Sequence, residues 1–270
     1  MGLTLTAILL GIVEGLTEFL PVSSTGHLVL ATRFLGYQEK PWEVFNIVIQ
    51  LPAIMAVVVL YWRTFLEVLL GLVRRDKESW HFVLNILIAF IPAAVLGVLL
   101  KDQIDRLLET PVVVAWALII GGLAIFLIER FERQGPYQHV GKLPFAKVLA
   151  IGFVQCISMI PGVSRSGATI MGALAMGVNR KTAAEFSFFL AVPTMFGATA
   201  KQLWDHRHEL SAGTGQVGWS EIAIGSVVSF VVALVVIKLF VGYVSRRGFA
   251  PFAWYRIVVG LAALAWLTLG

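Results

Sequence analysis

The chain is a series of long apolar runs separated by short polar interruptions. Six of these runs carry few charges and reach the length that an α-helix needs to cross a membrane. They cover residues 44–61, 82–100, 112–128, 186–203, 221–241 and 252–269. Trp42 and Trp62 flank the first run, and we interpret them as anchors at the membrane interface.

Two further apolar segments are interrupted by polar turns. Residues 3–20 and 27–35 lie on either side of one turn, and residues 145–160 and 170–178 lie on either side of the other. With a polar turn between them, the two arms of each pair do not form one continuous apolar span. Each pair therefore predicts a re-entrant helical hairpin whose turn is buried in protein.

The two halves of the chain repeat one another at a constant offset of 141 residues. The matching pairs are Gly11 with Gly152, Val13 with Val154, Val22 with Val163, Ser23 with Ser164, Gly26 with Gly167, Phe45 with Phe186 and Pro52 with Pro193. Each half, about 1–140 and 141–270, holds one hairpin and three spans. Because three is odd, the second half enters the membrane upside down, as in the inverted repeats of many transporters. The prediction is a single all-α polytopic membrane domain over residues 1–270, with six spans and two re-entrant hairpins.

Composition supports a membrane protein and excludes several other classes. Hydrophobic residues make up 58% of the chain and charged residues 14%, against about 25% charged in soluble domains. The net charge of +5 lies in the connecting loops, so it indicates topology rather than nucleic-acid binding. The single cysteine, Cys156, excludes an internal disulfide framework and a multi-cysteine metal site.

Lysines and arginines are distributed unequally between the two predicted faces. One face holds thirteen: Arg63, Arg74, Arg75, Lys77, Arg130, Arg133, Lys142, Lys147, Arg180, Lys181, Lys238, Arg246 and Arg247. The other holds six: Arg33, Lys40, Lys101, Arg106, Lys201 and Arg207. The first face is therefore predicted to be cytoplasmic, which puts both termini outside and lets the two hairpin turns meet from opposite sides.

Glu14 and Glu18 are the candidate metal ligands. They lie four residues apart, so they share one face of a helix. Two carboxylates in an apolar helix need neutralisation, and Mg²⁺ or Ca²⁺ is the cation that suits their oxygens. Protonation, or pairing with a buried arginine, is the structural alternative.

The second hairpin turn, PGVSRSGAT at residues 161–169, is the candidate phosphate-binding loop. Backbone N–H groups at a helix start bind anions, and the Arg165 guanidinium provides a fork suited to phosphate. Ser164, Ser166, Gly167 and Thr169 complete this set. The structural alternative is a helix cap with Arg165 paired to one of the glutamates.

The first hairpin turn adds further polar candidates. Ser23, Thr25 and Gly26 are expected around the substrate, and Ser24 or His27 is a candidate nucleophile, with acid–base catalysis as another role for His27. Arg256, near the start of the last apolar run, is expected either to contact phosphate or to extend its head group to the interface.

Together these residues predict a site for a phosphorylated lipid, and two classes of function use such a site. The first is a phosphatase. The second is a transporter or flippase, which the inverted repeat favours. The offset pairs Glu14 with Gln155 and Ser24 with Arg165. Such a one-sided reactive centre favours an enzyme, and a combined role stays open. A drug-binding protein without catalysis does not explain the acidic pair.

At these residues the chain resembles the bacterial undecaprenyl-diphosphate phosphatase family, also called the bacitracin-resistance family. The segments that carry the resemblance are EGLTEFLPVSSTGH at 14–27, PGVSRSGAT at 161–169, EFSFFLAVP at 185–193 and YRIVVG at 255–260. The resemblance implies hydrolysis of a polyprenyl diphosphate in the bacterial inner membrane, which recycles the lipid carrier of peptidoglycan synthesis and gives bacitracin resistance.

The resemblance also assigns roles to residues. It implies that Glu14 and Glu18 are metal-associated, and that Ser24, His27 and Arg165 are active-site residues in a site open to the periplasm. It leaves the nucleophile, the metal and the prenyl-chain preference open. The expected partners are the lipid substrate and membrane lipids, not nucleic acid, and the oligomeric state, including a homodimer, is open.

Overall fold

A computed structural model describes residues 2–37, 42–108, 110–132, 135–205, 207 and 217–269, and its regular elements are helices. In chain order the α-helices are α1 Leu3–Thr17, α2 Ser24–Phe34, α3 Glu43–Leu60, α4 Trp62–Val73, α5 Lys77–Leu99, α6 Lys101–Leu108, α7 Pro111–Phe131, α8 Phe145–Cys156, α9 Arg165–Ala175, α10 Arg180–Asp205, α11 Trp219–Arg247 and α12 Ala250–Leu269.

The six predicted spans are confirmed as helices of spanning length. Within the described residues, α3, α5, α7, α10, α11 and α12 are long and apolar enough to cross a membrane. Large apolar side chains such as Leu123, Leu127 and Leu239 lie exposed on their outer faces, as expected for surfaces that contact lipid. The polytopic all-α class is therefore supported.

The interrupted segments form two pairs of short helices. In the first pair, α1 ends at Thr17 and α2 begins at Ser24. In the second pair, α8 ends at Cys156, a 3₁₀ turn follows at Ile157–Met159, and α9 begins at Arg165. The re-entrant path of these pairs, the inverted repeat and the membrane orientation stay predictions. Lys40 and Arg133 from the charge count lie outside the described residues.

Each short helix pair packs against the opposite half of the chain. α1 lies along α11, and α8 lies along α5. A Cβ added at Gly11 would lie 2.7 Å from the Gly225 carbonyl oxygen, and one at Gly152 would lie 2.6 Å from the Ala89 carbonyl oxygen. Small residues at these points let the helix backbones approach closely, which interlocks the two halves.

The prediction that Trp42 is an anchor at the membrane interface is wrong. Its side chain is 1% exposed and packs edge-on against Phe45 and beside Tyr37. It therefore belongs to a small apolar core under α1 and α2 rather than to the membrane interface. Trp62, by contrast, is 54% exposed.

Candidate functional site

The candidate site lies where the turn between α1 and α2 meets the turn between α8 and α9. The Ser166 hydroxyl donates to the Leu20 carbonyl oxygen over 2.7 Å. A Cβ placed on Gly26 would lie 3.5 Å from the Gly162 Cα. Helices α2 and α9 both begin at this junction, so two helix N-termini, which favour anions, are brought to one place.

The two turns are shaped by serines in matching backbone conformations. Ser23 and Ser164 have φ values of 74° and 75°, a region that non-glycine residues adopt at a cost. Each is an N-cap: the Ser23 Oγ accepts from the Gly26 N–H at 3.3 Å, and the Ser164 Oγ accepts from the Gly167 N–H at 3.0 Å. Their direct contact with phosphate stays a prediction, because the contacts seen here are structural.

Glu18, Ser24 and Arg165 form a hydrogen-bonded cluster at the junction. The Ser24 hydroxyl donates to the Glu18 Oε2 over 2.5 Å, and the Arg165 Nη2 donates to the Glu18 Oε1 over 3.1 Å. The side chain of Glu18 is 4% exposed and that of Arg165 12%. One carboxylate therefore joins a hydroxyl from the first turn to a cation from the second.

The Arg165 guanidinium contacts α10 as well as Glu18, and one of its nitrogens is not used in these contacts. Its Nη1 donates to the Ser187 carbonyl oxygen at 2.8 Å, with the Ser187 Oγ at 3.5 Å. Its Nε has no partner among the described residues. The hydroxyl of Thr169 is 2.6 Å from the Ser187 Oγ and donates to backbone carbonyls of α9. The guanidinium is thus fixed by α10 and Glu18, while its buried Nε–H has no partner among the described residues.

Glu14 lies fully buried on α1, and both of its carboxylate oxygens have no hydrogen-bond partner among the described residues. A buried carboxylate without a partner is costly unless a cation or a proton neutralises it. Glu18 and Arg165 are close enough to act on it electrostatically. Hard oxygen donors of this kind suit Mg²⁺ or Ca²⁺, so this pair of carboxylates fits the predicted cation. The described residues contain no cluster of three or more acidic, histidine or cysteine ligands, so water and substrate oxygens would complete the coordination.

His27 is held by contacts that define its tautomer. Its Nδ1 lies 2.7 Å from the Ser23 carbonyl oxygen, which only accepts, so Nδ1 carries the hydrogen. Its Nε2 lies 2.8 Å from the Tyr255 hydroxyl, which donates to it in the neutral ring. The two rings are stacked, with centroids 5.5 Å apart. Neither ring nitrogen has a hydrogen bond to Ser24 or Glu18.

The remaining two candidates differ sharply in their surroundings. Thr25 is exposed at the start of α2, where its side chain can meet a ligand. Arg256 is 1% exposed, and five backbone carbonyl oxygens of described residues accept from its guanidinium. A guanidinium has five N–H donors, so this arrangement leaves none for the phosphate contact expected from the sequence.

Comparison with known proteins places this chain in a family. The family model described as bacitracin resistance protein BacA matches residues 7–262. The chain belongs to the BacA family. It is 62% identical over 269 residues to a protein of Novosphingobium aromaticivorans named "Undecaprenyl-diphosphatase", with both chains fully covered. Proteins of the same name from Rhizorhabdus wittichii and Sphingopyxis alaskensis are each 57% identical, with 97% of each chain covered.

Two residues of this BacA-family site were not singled out by the sequence analysis. Ser187 orients Arg165 from α10, and Tyr255 holds His27 from α12. Both lie in segments that carried the family resemblance, and the only other signal was a polar group inside an apolar run. No signal in the sequence indicated which neighbour each would contact.

Proposed function

We propose that the chain hydrolyses undecaprenyl diphosphate to undecaprenyl phosphate and inorganic phosphate at the junction of the two turns. The observation that carries this proposal is the Ser24–Glu18–Arg165 arrangement, in a BacA-family chain whose relatives are named for that activity. The reaction returns the lipid carrier to peptidoglycan and envelope-polymer synthesis. Overproduction of the enzyme confers resistance to bacitracin.

The diphosphate binds at the two helix N-termini, and the prenyl chain lies between the membrane helices. The Arg165 Nε–H, which has no partner among the described residues, donates to an oxygen of the terminal phosphate. Charge-assisted hydrogen bonds of this type are about twice as strong as neutral ones. Ser23, Thr25, Gly26, Ser164, Ser166, Gly167 and Thr169 form the surrounding shell.

Ser24 is the nucleophile. Its Oγ attacks the terminal phosphorus while its proton passes to the Glu18 Oε2, 2.5 Å away. The Oγ–P bond forms, the bridging P–O bond breaks, and undecaprenyl phosphate leaves. Glu18 passes this proton to the leaving undecaprenyl phosphate. Water then attacks the phosphoserine and gives a proton to Glu18, which returns it to the Ser24 Oγ as the Oγ–P bond breaks and inorganic phosphate leaves. His27 is the alternative nucleophile, and direct attack by water is a third route.

The contacts of His27 favour Ser24 in that choice. Its Nδ1 and Nε2 are both engaged, and the Tyr255 hydroxyl occupies the lone pair that would attack phosphorus. We therefore assign His27 to proton transfer or to shaping the first turn.

Glu14 and Glu18 hold a divalent cation, Mg²⁺ or Ca²⁺. When bound, the cation supplies charge stabilisation to the phosphate oxygens. The oxygens of Glu14 support this assignment, because they have no partner among the described residues and a cation would supply one.

The two helix pairs are re-entrant hairpins of an inverted repeat, with the site open to the periplasm. The reciprocal packing of α1 on α11 and of α8 on α5 supports the repeat. The matching caps at Ser23 and Ser164 support it independently. The charge count assigned Lys101 and Lys201 to the outer face. Both form ion pairs with Asp205, as expected for residues on one face.

Release of inorganic phosphate from undecaprenyl diphosphate by the purified protein tests the proposal. We expect release that stops with a chelator and returns with Mg²⁺ or Ca²⁺, and that is lost in Ser24→Ala but kept in the exposed control Ser245→Ala. Proteoliposomes that move the lipid across the bilayer without releasing phosphate would support the flippase instead. Trapped phosphate on His27, or on neither residue, would remove the serine route.

A further inference from the structure

Arg256 connects three separate segments of the chain through backbone contacts. Its Nη1 donates to the Pro21 carbonyl oxygen of the first turn at 3.0 Å and to the Val163 carbonyl oxygen of the second turn at 2.9 Å. Its Nη2 donates to the Gly162 carbonyl oxygen at 2.9 Å. The same group also reaches the Ala117 and Leu118 carbonyl oxygens of α7 at 2.9 and 3.2 Å.

The carbonyl groups of the two turns need such a partner. Irregular backbone at membrane depth is tolerated only where its polar groups are satisfied by the protein or by water in a cavity. The carbonyls of Pro21, Gly162 and Val163 lie outside the helices, and one guanidinium satisfies all three. No other side chain type offers five donors in a rigid plane.

The space for this guanidinium is built into α7. A Cβ added at Gly121 would lie 2.6 Å from the Arg256 Cζ and closer still to its Nη2. The second turn sits on the same helix, because a Cβ at Gly162 would lie 2.6 Å from the Val114 carbonyl oxygen. Gly121 therefore sets the depth of the guanidinium against the helix that supports the second turn.

We propose that Arg256 is a positioning residue that locks the two hairpin turns in register, and that it does not bind phosphate itself. Glu18 and Ser24 come from the first hairpin and Arg165 from the second, so their mutual distances depend on this lock. The inference rests on the proposed phosphatase function for its kinetic consequence, but the lock itself is a property of the backbone.

Three variants separate the lock from a direct phosphate contact. Arg256→Lys keeps the charge but cannot reach both turns and α7. Gly121→Ala keeps the arginine but displaces it. Gly242→Ala is the matched control, because a Cβ there meets nothing within 4 Å. Each is measured for phosphate release, with kcat and KM separated, and for hydrogen exchange of peptides over residues 18–26 and 157–167.

We expect Arg256→Lys and Gly121→Ala to lower kcat by about 10²-fold, as misplacement of reacting groups by about 1 Å does. We also expect faster exchange in both turn peptides, and no change in either measurement for Gly242→Ala. If Arg256→Lys does not fold, Gly121→Ala carries the test.

Several results would overturn the inference. One is a lysine variant that keeps kcat and raises only KM, as a direct phosphate contact requires. Another is unchanged exchange at either turn, and a third is faster exchange spread evenly over the chain. If the unmodified protein releases no phosphate, the proposed function fails, and the exchange measurements alone decide the lock.

Discussion

Replacing Arg165 by methionine separates the structural and the chemical roles of the Glu18–Arg165 pair. Methionine has a similar reach but no donors. In Arg165→Met the Glu18 Oε1 loses an N–H partner that lies 3.1 Å away, in a place where the carboxylate is 4% exposed. The variant also removes the Nε–H group that we assign to the phosphate.

Both effects have a predictable size. Removing one partner of a buried ion pair costs about 3–5 kcal/mol of stability, which lowers the thermal midpoint by roughly 10 °C in a chain of this length. One lost charge-assisted hydrogen bond to the transition state, at about 1.5–3 kcal/mol, lowers kcat/KM by about 10–10²-fold.

The double variant Arg165→Met with Glu18→Leu provides the decisive contrast. It removes both charges, so we expect the thermal midpoint to recover towards that of the unmodified protein while phosphate release does not rise above that of Arg165→Met. The exposed Arg247→Met serves as the control for loss of an arginine. Phosphate release by Arg165→Met within threefold of the unmodified rate would show that Arg165 does not stabilise the transition state. Release by the double variant above that of Arg165→Met would show the same.

Three other predictions concern neighbouring groups. Glu14→Gln should raise the Mg²⁺ concentration for half-maximal phosphate release at least about tenfold, and an unchanged Mg²⁺ response contradicts this. In chelator its thermal midpoint should not fall, because the variant no longer buries a carboxylate without a partner. Ser187→Ala should lower kcat/KM by about tenfold through its contacts with Arg165 and Thr169, and a rate equal to that of the unmodified protein in a direct assay contradicts it. Tyr255→Phe keeps the stacked ring but removes the hydrogen bond to the His27 Nε2, so the rate should fall by about fivefold and the pH–rate profile should change; an identical profile argues against a role for His27.

The helical architecture was largely predictable, because apolar length is a direct requirement of the bilayer. All six predicted spans are found as helices, with ends that differ by a few residues, and the two interrupted segments form short helix pairs. Trp42 shows where the pattern misleads. A tryptophan beside a span is typical of the interface, but Leu28 of α2 and Tyr37 pack with this one, which only the tertiary arrangement reveals.

The candidate site was predictable as a set of residue types but not as a set of contacts. Carboxylates and an arginine inside apolar helices stand out because their burial needs a reason, and Glu18 and Arg165 do lie together. The partners of Arg256 left no signal in the sequence, because backbone carbonyls are present at every residue. Its burial among them depends on how two distant turns meet α7, so the sequence supported a phosphate contact equally well.

The sharpest test of a site shared by the two short helix pairs compares phosphate release from undecaprenyl diphosphate by variants of each pair. Ser24→Ala alters only the first pair and Arg165→Met only the second. If one site is built from both, Ser24→Ala abolishes release, Arg165→Met lowers it by at least about tenfold, and equal amounts of the two mixed together do not restore it. Release at the unmodified rate by either variant would show that the junction of the two turns is not the catalytic centre.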